Sequence, residues 1–162
     1  MKRIVKCFLF IIIVLFSVFP AGESLADQMI VPGERIGNMH IGMKKQEMLK
    51  ILGQPDKSVL TTAEGFREYQ YMEKHLLIID IDPGTDRIKY IATGISSGYS
   101  TKNGLQVGIA AKSVTDIMGN VKPVKVSGNA YSLKYPKQGI EFIIRKKNGG
   151  EKVFIIIIKA KK

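Results

Sequence analysis

The sequence predicts an α+β fold of tandem α-β-β-β repeats, with antiparallel sheets that each carry a helix packed on one face. Three observations lead there. Residues 41–53 and 107–119 match without a gap at an offset of 66, so that Gly42 meets Gly108 and Gly53 meets Gly119. Met48, Ile51 and Leu52 fall at i, i+3 and i+4, the spacing of one helical face, and their counterparts are Val114, Ile117 and Met118. Each matching segment is then followed by three strand-like runs with short turns between them.

Taken in chain order, residues 1–26 read as a secretory signal peptide. Lys2, Arg3 and Lys6 precede an apolar run over 7–19, and Ser24-Leu25-Ala26 supplies small residues before a cleavage point at Asp27. Thirteen apolar residues fall short of the ~20 that span a bilayer, so no transmembrane segment is expected after cleavage. Cys7 precedes the apolar run and leaves with the signal. The remaining 136 residues contain no cysteine, which excludes disulfide scaffolds, thiolate metal sites and Cys nucleophiles.

Repeat one is expected over 27–96, with a helix at about 44–52 and strands at about 66–71, 76–82 and 87–93. Repeat two, with its linker, covers 97–162, with a helix at about 110–118 and strands at about 129–135, 140–146 and 152–159. Gly53 and Gly119 stand where a left-handed cap ends a helix, with Pro55 and Pro123 close behind. Asp82-Pro83-Gly84 reads as a type II turn with its positive φ at Gly84. The run Val153-Phe154-Ile155-Ile156-Ile157-Ile158 shows no alternation and predicts a core strand buried on both faces.

The run from Ile41-Gly42-Met43 through Leu52-Gly53-Gln54-Pro55 resembles the signature of small envelope proteins of the SmpA/OmlA (BamE-like) type, in which an Ile-Gly-Met turn opens a helix ending in Leu-Gly-x-Pro. Two such units in tandem resemble the architecture of β-lactamase inhibitory protein. The resemblance covers roughly residues 35–162, and its specific part is the helix-turn motif. It implies non-catalytic binding in or outside the cell envelope. The lipid-bearing Cys of the first family and the disulfides of the second are both absent, and the resemblance carries over no target or contact residue.

No catalytic set emerges. Gly94-Ile95-Ser96-Ser97-Gly98 fits the nucleophile-elbow spacing, but the segment after it reads as loop, and His40 and His75 both lie upstream. It reads as linker, within the Ser/Gly/Thr-rich stretch 95–103. Asp80, Asp82 and Asp86 cluster without the fifth and twelfth ligands of a calcium loop. The expectation is therefore no enzyme, no metal and no cofactor.

Charge is the informative feature. Residues 27–100 carry nine Lys+Arg against ten Asp+Glu, whereas residues 101–162 carry 13 against three. So one-sided a field attracts anionic partners, unless it serves only to solvate the surface. Six tyrosines complete the candidate surface, and Tyr69 and Tyr135 coincide at the repeat offset. Tyrosines on a sheet anchor an interface or cover a half-buried face. The expected binding residues are Tyr69, Tyr71, Tyr131, Tyr135, Lys134, Lys137, Arg145, Lys146 and Lys147. Two readings follow for an exported protein, secreted or held in the envelope. One is a non-enzymatic protein-binding module of the inhibitor or assembly-factor kind. The other is a binder of anionic envelope polymer or lipid through the basic second repeat. Nucleic acid is not expected as a partner.

Overall fold

The computed structural model describes residues 28–61, 65–94 and 97–162. The expected signal peptide lies outside them, as does Ser96.

The architecture corrects the predicted fold class. The chain is dominated by β-structure, and its two halves share one eight-stranded antiparallel sheet. A small sheet opens the described residues: β1 (Met29–Val31), β2 (Arg35–Ile36) and β3 (Met39–His40). Helix α1 (Lys45–Leu52) follows, then β4 (Lys57–Leu60), β5 (Arg67–Tyr71), β6 (Leu77–Asp82) and β7 (Arg87–Thr93). Strand β8 (Ser100–Thr101) precedes α2 (Ala111–Met118), β9 (Val124–Ser127), β10 (Ala130–Tyr135), β11 (Ile140–Lys147) and β12 (Gly150–Lys159). The large sheet runs β4-β5-β6-β7-β12-β11-β10-β9, and the small one runs β3-β2-β1-β8. The expected linker is thus partly strand, because β8 pairs in parallel with β1.

The two halves meet where β7 pairs with β12, from Thr93↔Ile156 to Tyr90↔Lys159. Equivalent hydrogen bonds hold each helix to its half. Gly42 N–H donates to Ile88 O and Gly108 N–H to Val153 O, both at 2.8 Å. Ile88 N–H donates to Met43 O and Val153 N–H to Ile109 O, both at 2.9 Å. Both helices end on a glycine at positive φ, Gly53 at 77° and Gly119 at 87°. Their N–H groups reach Leu49 O and Thr115 O, but ψ of −158° at Gly53 and 163° at Gly119 puts both outside the left-handed helical cap that the sequence predicts, in an extended positive-φ region open essentially to glycine alone. The Asp82–Asp86 turn differs from the expected type II form. Gly84 N–H donates to the Asp82 Oδ1 at 2.8 Å, and the positive φ falls on Asp86, at 53°.

Strand alternation divides the large sheet into two unlike faces. On the inner face Tyr69, Tyr71, Leu77, Ile79, Ile81, Ile88, Ile91, Leu133, Tyr135, Ile140, Phe142, Ile144, Val153, Ile156 and Ile158 are buried. They form one hydrophobic cluster with Met48 of α1, Val114 of α2, and Ile30, Ile36 and Met39 of the small sheet. Both helices and the small sheet therefore pack on this face.

The run 153–158 departs from its predicted double burial. Val153, Ile156 and Ile158 are buried, but Phe154, Ile155 and Ile157 are only half-buried. A β-bulge gives Phe154 no cross-strand partner, since Ile144 pairs with Val153 and Ile143 with Ile155. Among the described residues, no helix is long and apolar enough to cross a membrane.

Candidate functional site

Three of the expected surface tyrosines are core residues. Tyr69, Tyr71 and Tyr135 expose only 6%, 2% and 3% of their surface, so they cannot anchor a partner. Their strands turn the rings inward, where apolar area is removed from water. Tyr71 hydroxyl donates to Gly53 O at 3.2 Å, and Tyr135 hydroxyl to Gly119 O at 2.8 Å. Each tyrosine thus ties its strand to the end of its helix. The structural counterpart of Tyr135 is Tyr71, not Tyr69, because the 66-residue offset of the helices has shrunk to 64 at this point. Burial pushes the Tyr71 hydroxyl pKa up to about 12, with the nearby Tyr69 and Asp56 adding to it. Burial also raises that of Tyr135.

Tyr131 is half-buried, and its hydroxyl donates to the Glu151 carboxylate at 2.7 Å. Desolvation, then the hydrogen bond and charge of Glu151, lift its pKa to about 12. Lys137 is exposed in the β10–β11 turn. Lys134 is partly neutralised, because Glu141 holds it at 3.7 Å and Lys159 at 3.3 Å. Lys146 pairs with Glu151 at 3.5 Å. Arg145 lies over the Phe154 ring, its Cζ 3.4 Å from the centroid.

The feature that sequence reasoning missed is the outer face of the large sheet. Among the described residues no layer covers it. Register lines up Gln70, Ile78, Ala92, Ile157, Glu141 and Lys134 across six consecutive strands. A second row runs Glu68, Asp80, Tyr90 and Lys159. Phe66 stands edge-to-face with Tyr90, ring centroids 5.6 Å apart. Ile143, Ile155 and Phe154 extend the apolar centre toward β11, and all are half-buried. The centre forms a hollow of about 430 Å³ lined by Phe66, Ile78, Tyr90, Ala92, Ile155 and Ile157. Glu68 and Asp80 flank it on the β5–β6 side, with Lys134 and Lys159 on the β10–β12 side. A signal existed in the sequence: Ile78, Ala92 and Ile157 occupy the phase opposite to the core residues, where a solvated face would place polar groups.

The basic residues of β11 and β12 are sorted by face. Arg145 stands opposite Lys152, and Lys147 opposite Gly150, while Lys146 faces Glu151 on the other side. His75 packs edge-on to Tyr71 at 6.2 Å, and no metal-ligand cluster occurs among the described residues.

No family model and no curated protein matches the chain. Among solved structures, the uncharacterized protein yfeY from Escherichia coli is similar over 80% of this chain and 98% of its own, at 21% identity and a TM-score of 0.56. A cysteine-rich secretory protein from Staphylococcus aureus is similar over 83% of this chain and 49% of its own, at 14% identity and a TM-score of 0.48. The first of these shows that the fold recurs in a bacterial protein.

Proposed function

We propose that the protein is an exported, non-enzymatic binding module that presents the outer face of its eight-stranded sheet to a protein partner. The observation that carries this reading is the apolar stripe Ile78–Ala92–Ile157 on a face that nothing in the described chain covers. Seven interstrand spacings of about 4.8 Å and about six residues at about 3.4 Å give a face of roughly 34 by 20 Å. That is close to the ~800 Å² each partner contributes to a standard interface. The charge arrangement selects the partner: an apolar anchor flanked by a basic group toward Glu68. Export rests on the N-terminal pattern, and the absence of catalysis on the lack of a nucleophile–base pair in sequence. The BamE-like helix-turn motif supports the same class.

Photo-crosslinking residues placed at Ile78 and Ile157 should capture one common protein, whereas the same group at Lys112, on an exposed helix position, should not. Ala92→Arg should then weaken binding of that purified protein by about tenfold or more with an unchanged melting curve. Tyr90→Ala serves as a second variant if Ala92→Arg fails to fold. Equal capture from Lys112, or undiminished binding by a folded variant, would overturn the reading.

A further inference from the structure

The geometry points to a phosphate-binding site at the β11–β12 hairpin end, independent of the partner-binding reading. Arg145 and Lys152 are direct cross-strand partners, an arrangement of like charges that destabilises a sheet unless something between them is negative. Lys147 follows Arg145 on the same face, about 7 Å along the strand, and Gly150 opposite it leaves the space beside it open. A hollow of about 430 Å³ is lined here by Arg145, Lys147, Lys152, Phe154, Gly149 and Gly150, with Val107, Gly108 and Val153 closing its side. No carboxylate lines it. The one acid at this end of the hairpin, Glu151, lies on the opposite face, occupied by Lys146 at 3.5 Å and the Tyr131 hydroxyl at 2.7 Å. The hairpin therefore separates its charges by face and leaves three cations converging on one hollow.

The platform is built as well as charged. Phe154 is the bulged residue of β12, and bulges re-aim side chains. Its ring lies 3.4 Å from the Arg145 Cζ, a cation–π contact that holds the guanidinium plane. The N–H edge of that plane is left to grip two oxygens at once. A tetrahedral oxyanion with several charged oxygens suits one planar fork and two mobile ammonium groups; a single carboxylate would engage only one of them. The ligand class is a phosphate ester or free phosphate. Its source is either a soluble phosphate or a lipid headgroup at a membrane surface. The lysines already held by Glu141, Lys134 and Lys159, play no part.

The test is a titration of the purified ¹⁵N-labelled protein with inorganic phosphate, and separately with vesicles of phosphatidylglycerol in phosphatidylcholine, against sodium chloride of equal ionic strength. Phosphate should shift amide signals of residues 147–152 and Phe154, with little change in β4–β7. Arg145→Gln combined with Lys152→Gln should weaken the response about tenfold or more, while Lys134→Gln and Ala92→Arg leave it intact. A response to phosphate identifies a soluble ligand. A response to vesicles alone, lost in the same double variant, identifies a headgroup. Shifts reproduced by sodium chloride, no response to either probe, or an unaffected double variant would overturn the site. Ala92→Arg on β7 and the double variant at the far end of β11–β12 act at separate places on the outer face, so failure here is distinguishable from failure of the partner-binding reading.

Discussion

Gly139, in the turn between β10 and β11, provides a sharp test of how the small sheet is locked to the large one. Its φ is 70°, and a Cβ added there would lie 2.4 Å from Lys159 O and 2.5 Å from the Gly33 Cα. Both are backbone atoms, so neither can rotate away. Gly139→Ala incurs a left-handed conformation costing roughly 1–2 kcal/mol and overpacking that costs about 1–3 kcal/mol, here at the upper end. Gly104→Ala is the control, with φ of 77° and nothing within 4 Å of the added Cβ. It incurs the first cost alone. The gain from a stiffer unfolded chain, about 0.4–1 kcal/mol, is common to both and cancels in the difference. The two variants should therefore differ by about 2–3 kcal/mol. At a urea slope of about 1–3 kcal/mol per M, that separates their midpoints by roughly 1 M or more. Equal midpoints would refute the argument, because they would show that the β1–β2 turn at Gly33 yields freely to its neighbour.

Two further outcomes follow from the core. Phe142 is fully buried, with the Tyr135 ring edge-on at 6.0 Å, so Phe142→Ala should cost about 3–5 kcal/mol in urea melts; a cost below about 1 kcal/mol would mean that the site collapses around the loss. Stability should also fall at high pH. With Tyr71 raised to about 12 in the fold, against an ordinary value of about 10, the unfolded chain loses this proton first. The tyrosine's contribution is complete below pH 10 and lost toward pH 12, at up to ~1.4 kcal/mol per pH unit. Tyr71→Phe should flatten that decline in urea melts between pH 9 and pH 12, and an unchanged slope would reject the assignment.

Both helices were legible because apolar residues at helical spacing end on glycines, and that punctuation is local. The central strands were legible from their apolar content. Strands β4 and β9 were not, because Lys57–Leu60 and Val124–Ser127 are mostly or wholly exposed edges with little apolar pattern to read. The pairing of β7 with β12, which turns two predicted units into one sheet, joins residues 63 to 69 positions apart and leaves no local trace. Tyr69 and Tyr71 alternate with Glu68 and Gln70, which already places the rings and the polar groups on opposite faces; the remaining question, which face is covered, depends on where the helices land. For the same reason the run 153–158 reads as core on both faces. Ile155 and Ile157 share the composition of Ile156 and Ile158, and only the absence of a layer above them distinguishes their roles.

The twelfth strand in chain order sits in the middle of the sheet, with consequences for how the molecule comes into being. During synthesis or passage through a translocation channel, β4–β7 emerges well before β12 does. Until then β7 presents a row of unpaired N–H and C=O groups beside freshly exposed isoleucines, the kind of edge that recruits strands from other chains. The strand that closes it carries four consecutive isoleucines, Ile155 to Ile158, itself an aggregation-prone run when unpaired. Assembly therefore converges on a late, long-range step, which favours slow folding and gives a chaperone holding the emerging half-sheet a defined interval in which to act.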